Sequence, residues 1–116
     1  MEEQRKVPRW PINAAAGLLV DGGVKPLACK VEDISTQGMR VSFKKNLFAE
    51  AFSNFNLILS DKIALDLSAQ VAWQGEVNDR NTFGLTFNQL DELAKNRIAG
   101  YVKTCYPEIM LKQWWG

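Results

Sequence analysis

Two arginines, Arg5 and Arg9, stand with three residues between them in the opening stretch MEEQRKVPRWP, ahead of the first apolar segment. A guanidinium is a planar fork. It donates to two phosphate oxygens at once, and its flat face stacks on an aromatic ring. The same fork matches O6 and N7 on the edge of a guanine. Pro8 fixes its own φ and biases Val7 toward extended backbone, so the pair sits on a stiff segment. Lys6, between the arginines, and Trp10, just after them, are adjoining candidates: one a further cation, the other a stacking surface or a residue packed on the domain. Taken alone, the pair reads as an ordinary charged chain start.

A second stretch, VEDISTQGMRVSF, leaves one apolar alternation and enters another through a turn. Asp33 and Ser35 can each bond nearby backbone, and Gly38 is expected to supply a conformation that other residues resist. A plain strand connection explains Gly38 and Ser35. It does not need Asp33, whose carboxylate can accept from a guanine N1–H and exocyclic amine. The Ser35 hydroxyl and the backbone N–H groups of the turn could hold a phosphate or a ring edge.

Something must hold these two stretches side by side, and the spacing of apolar residues says what. Ile63, Leu65, Leu67, Ala69, Val71 and Trp73 recur at every second position, which predicts a strand with one buried face and Trp73 in the core. Shorter alternations run through Leu27–Cys29–Val31, Met39–Val41–Phe43 and Phe83–Leu85–Phe87. NAAAGLLV and NLILS add two more strands, and Asp21-Gly22-Gly23 is a two-residue hairpin signal. Six short strands separated by turns predict an antiparallel sandwich or small barrel.

The last third changes period. Leu90, Leu93, Ala94, Arg97, Ile98, Tyr101, Val102 and Cys105 fall at steps of three and four, an amphipathic helix of about four turns. Asn88 with Asp91 marks its start and Pro107 its end. Cys29 and Cys105 share the phase of buried neighbours and read as small buried hydrophobes. The tail PEIMLKQWWG places Met110, Leu111, Trp114 and Trp115 on one face. That face either folds back onto the barrel or docks a partner or a second copy of the chain. Phe48, Phe52 and Phe55 are expected to cover the open end of the barrel.

Composition narrows the chemistry. The 116 residues are the length of one domain. Fourteen basic and thirteen acidic residues leave a net charge of +1, which argues against a DNA or RNA binder with a broadly basic surface. Without histidine there is no Ser-His-Asp triad, Cys-His pair or histidine metal site, and two distant cysteines do not make a zinc site. The scattered carboxylates give no acid/base pair, so a non-enzyme is expected. No apolar run reaches the roughly 18 residues of a membrane span, and no secretory core precedes the arginines. A cytoplasmic protein with free thiols follows as the expectation.

An R-x-x-x-R pair followed about two dozen residues later by D/N-x-S-x-x-G resembles the double signature of PilZ domains. RKVPR and DISTQG carry both in full. QVAW followed by FGLTF, and a helix after the last strand, are similar to the later part of that family, so the likeness covers residues 5 to 105. The resemblance implies an all-β fold with a C-terminal helix: a six-stranded antiparallel barrel that binds the bacterial second messenger cyclic di-GMP and needs no cofactor. It implies that Arg5 and Arg9 contact the phosphates and guanines while Asp33, Ser35 and Gly38 cradle a guanine from the other side. The expected layout is a mobile basic leader (1–11), barrel (12–87), helix (88–106) and apolar tail (107–116). Ligand would order the leader and present a new surface to a protein partner in motility, exopolysaccharide, biofilm or virulence pathways. The alternative is a barrel adaptor whose arginines pair with a partner's carboxylates. A barrel for single-stranded nucleic acid is a third reading, disfavoured by the near-neutral charge.

Overall fold

The computed structural model describes residues 9–20, 25–44, 54–60 and 63–109. Arg5, Lys6, the Asp21-Gly22-Gly23 turn, Phe48, Phe52 and the tail from Met110 onward lie outside the described residues. Six strands follow one another: β1 (Ala14–Val20), β2 (Leu27–Ile34), β3 (Gly38–Lys44), β4 (Asn54–Ser60), β5 (Ile63–Val77) and β6 (Arg80–Phe87). A helix, α1 (Glu92–Cys105), comes after them. Every pairing is antiparallel, and the order β1-β2-β3-β6-β5-β4 closes on itself through β4 and β1. Of the two architectures that alternation allows, the chain forms the barrel, which removes the sheet edges a sandwich would leave.

The interior is filled by the alternating residues. Val31, Val41, Phe43, Leu57 and Phe83 are fully buried, and the Phe43 and Phe83 rings meet edge to face with centroids 5.8 Å apart. Cys29 is buried among them, as its phase predicts, and burial pushes its thiol up to about 12, with Arg80 a smaller opposing influence. The β5–β6 turn consists of Asn78 and Asp79, both at positive φ (53° and 68°), the twist that suits a two-residue hairpin.

Helix α1 buries Ile98, Tyr101 and Val102 into the same core. Its N-cap is Asp91, whose side chain accepts from the Ala94 N–H at 2.8 Å; the helix therefore begins later than an Asn88 start would place it. Two of its expected core residues are exposed. Leu93 lies opposite Ile98 around the helix, and it is 68% exposed. Cys105 has the right phase, but the buried run of the helix ends at Val102, so its thiol faces solvent. Among the described residues no helix is long and apolar enough to cross a membrane.

Candidate ligand-binding site

The Arg9 side chain meets the β2–β3 corner because Trp10 is fixed to it. The Trp10 N–H donates to the Ile34 carbonyl at 2.8 Å, and the Ile34 N–H donates back to the Trp10 carbonyl at 3.0 Å. The Trp10 side chain is 96% buried (4% exposed) in the core, so a mobile leader through residue 11 is corrected: the chain is tied to the barrel from Trp10 on. Of the two sequence alternatives for Trp10, its position is that of packing rather than of an open stacking face.

Asp33 owes its position to a β-bulge. Lys30 pairs with Ser42 and Val31 with Val41, but the next pair is Asp33 with Arg40, leaving Glu32 as an extra residue. One extra residue reverses the inside–outside phase of a strand. Ile34 can therefore enter the core beside Met39, while Asp33 turns to the outer face beside Arg40. Two guanidinium groups cover it there. Arg9 Nε stands 3.8 Å from one carboxylate oxygen, Oδ1, and Arg40 Nε stands 3.6 Å from the other, Oδ2. Both distances are too long for hydrogen bonds. The Asp33 Oδ1 atom is buried with no hydrogen-bond partner among the described residues. A buried carboxylate oxygen with spare acceptor capacity is uncommon and costly in folded proteins.

The Ser35–Gly38 turn is built from its own hydrogen bonds. The Ser35 N–H donates to the Gly38 carbonyl at 2.8 Å, and the Ser35 hydroxyl oxygen accepts from the N–H groups of Gln37 (3.0 Å) and Gly38 (3.1 Å). The Phe87 N–H donates to the Gln37 carbonyl and anchors the turn to β6. In this geometry Ser35 shapes the corner. Gly38 is required for a reason other than the expected one: its φ is outside the left-handed region, but a Cβ there would run into the Leu85 carbonyl oxygen.

Two further residues complete the outer face, and sequence reasoning missed both. Nothing in the sequence singled out Arg40, which faces Asp33 across the β2–β3 pair. Trp73 was expected in the core, yet it is 43% exposed. A second bulge explains it: Val71 pairs with Leu85 and Trp73 with Gly84, so Ala72 is extra and the alternation reverses after Val71. The indole then lies over Gly84, where any Cβ would overlap it. Arg40 pairs with Gly84 from the other side. Asp33, Arg40, Gly84 and Trp73 thus form one row across four adjacent strands, with acid, guanidinium, backbone and indole in sequence. Such a row can hold a planar ring by its edge and its face, and an anion by the cations beside it. Among the described residues no group of three or more Cys, Asp or Glu side chains could hold a metal ion.

A family profile for the PilZ domain matches residues 3–104, and the chain belongs to that family. Solved structures of the same fold include the PilZ domain of YcgR from Escherichia coli with c-di-GMP, at 13% identity and a TM-score of 0.69, covering 96% of this chain and 98% of that one. Longer YcgR in complex with c-di-GMP matches at 14% identity and a TM-score of 0.68, and the MrkH–c-di-GMP complex of K. pneumonia at 15% and 0.69. This chain covers 50% and 56% of those two, and they cover 96% of it. It spans about half the length of either. No curated protein matches the chain in sequence.

Proposed function

We propose that this chain is a receptor for cyclic di-GMP. The observation that carries the reading is the Asp33 carboxylate, buried between Arg9 and Arg40, whose Oδ1 accepts no hydrogen bond among the described residues. A guanine brings two adjacent donors, N1–H and the exocyclic amine, which suit that oxygen pair. The phosphates of the same ligand suit the arginines, and Trp73 offers a face on which a base can stack. Membership of the PilZ family and the three c-di-GMP complexes among its structural relatives support the choice of ligand.

In this reading the protein performs no chemistry. Cyclic di-GMP draws Arg5 and Lys6, together with Arg9, onto the corner, and the resulting surface of ligand, leader and barrel acts on a partner protein in motility, exopolysaccharide, biofilm or virulence signalling. Each charge-assisted hydrogen bond contributes about 1.5–3 kcal/mol, so Arg9→Ala lowers affinity for cyclic di-GMP about tenfold or more. Calorimetric titration of wild type and variant, with GTP as control, tests this. Undiminished binding by a folded variant defeats the assigned role of Arg9. No response by wild type leaves the protein-adaptor alternative.

A further inference from the structure

Next to the Asp33–Arg40–Gly84–Trp73 row lies a row of small residues. Two positions along each strand, Ser42 pairs with Thr82 and Thr82 with Gly75. Ser42 and Thr82 are buried, and Gly75 has no side chain. Beyond it, Lys44, Arg80 and Val77 form the following row. Low residues between two rows of long ones leave a trough of about 170 Å³, walled by Arg40 on one side and by Arg80 and Val77 on the other. Lys30 and Glu32 of β2 close one end.

The lining is organised for an anion. Arg80 Nε donates to the Ser42 hydroxyl oxygen at 2.8 Å and its Nη2 to the Ser42 carbonyl at 3.1 Å, so the guanidinium is held in place from beneath. The Ser42 hydroxyl in turn donates to Glu32 Oε2 at 2.8 Å. Three cations, Lys30, Arg40 and Arg80, therefore line the trough against one carboxylate that is already engaged. A fixed guanidinium loses little freedom when it binds, and although Arg40 also faces Asp33 at 3.6 Å, Lys30 and Arg80 still outnumber Glu32, which calls for an anionic ligand. The volume is well below the ~300 Å³ at which pockets for drug-sized molecules begin, which favours a single compact group over a nucleoside or a peptide strand.

We propose that this trough is a separate binding site for a phosphoryl group, carried by a small phosphate or diphosphate. Arg9, Asp33 and the Ser35–Gly38 turn take no part in it, so it stands whether or not the chain binds cyclic di-GMP. Arg40 is the one residue common to both places.

The test is titration of the isotope-labelled full chain with inorganic pyrophosphate at constant ionic strength, followed by amide shifts. Saturable shifts are expected at Ser42, Arg80 and Thr82. Arg80→Gln is expected to weaken them at least fivefold and Lys30→Gln at least twofold, the latter covering the case in which Arg80→Gln does not fold. Lys95→Gln, the same charge change on α1, is expected to leave them unaltered. The proposal is overturned if the shifts never saturate, if they gather at Ser35–Gly38 instead, or if Lys95→Gln weakens them as much as Lys30→Gln does. It is also overturned if hexaglutamate, and not pyrophosphate, produces the Lys30-dependent shifts, which would make the trough a seat for an acidic protein segment.

Discussion

The middle of the outer face and its two flanks are built differently. β3 and β6 run past each other through seven pairs, from Gly38 with Thr86 to Lys44 with Arg80, without a slip. Each strand outside them slips by one residue: β2 at Glu32 and β5 at Ala72. The regular ladder keeps Val41, Phe43 and Phe83 inside and leaves a level outer surface of Arg40 and Gly84. The slips tip Asp33 and Trp73 onto the two edges of that surface. A barrel interior demands strict alternation, and an extra residue is the local device that lets a strand put a polar or aromatic group outside without losing the core farther along. Stability should therefore be concentrated in the ladder and ligand contact in the slipped flanks.

The largest effect is expected from emptying the ladder. Phe83→Ala removes a fully buried ring that packs edge to face on Phe43, and a loss of about 3–5 kcal/mol is expected in chemical denaturation. That is a large part of the ~5–15 kcal/mol that holds a small domain folded. A loss below 1 kcal/mol would mean that the ladder is not where stability resides.

Trp73→Ala sharpens the contrast, because the same chemical change on a slipped strand should cost little. With the indole 43% exposed over Gly84, the expected loss in denaturation is below about 1 kcal/mol. Base–aromatic stacking contributes about 1–3 kcal/mol, so cyclic di-GMP affinity should fall roughly tenfold in the same variant. A destabilisation as large as that of Phe83→Ala would return Trp73 to the core, where plain alternation had put it.

That misplacement shows what was legible in the sequence. The first half of β5, the alternations in β2, β3 and β6, and the 3–4 spacing of α1 each reflect one burying face, and a burying face writes its period into the residue types. The slips do not. One extra residue leaves both sides of it alternating, so Leu65 to Trp73 reads as a single face although the phase reverses at Ala72. The corner residues Arg9, Asp33, Ser35 and Gly38 were visible as a motif, but not the work each does. That Gly38 is needed for its approach to the Leu85 carbonyl, and that Ser35 bonds its own turn, depend on which strands become neighbours. Arg40 was invisible for the same reason: its pairing with Asp33 exists only after Glu32 slips. The Asn78–Asp79 hairpin turn, at positive φ without a glycine, gave no strong signal either.

The smallest effect separates the two thiols, one inside the regular barrel and one on the helix that ends beyond the core. Cys29 faces the interior, where burial raises its thiol from an ordinary 9.0 to about 12; Cys105 is exposed. The thiolate is the reactive form, so at pH 8 iodoacetamide should label Cys105 and spare Cys29 in the folded protein. The raised value also fixes the sign of a pH effect. Between about pH 9 and about 12 the folded state keeps a proton that the unfolded chain has lost. The stabilising contribution of the neutral thiol is thus complete below pH 9 and disappears as pH rises through that window, with a slope approaching about 1.4 kcal/mol per pH unit. Tyr101, whose phenol burial and its bond to Tyr106 also push upward, adds a decline of the same sign. The comparison must therefore be wild type against Cys29→Ala: both lose stability above pH 9, and the variant loses it less steeply. Parallel slopes would place Cys29 in contact with water and the β2 phase, before the slip at Glu32, in error.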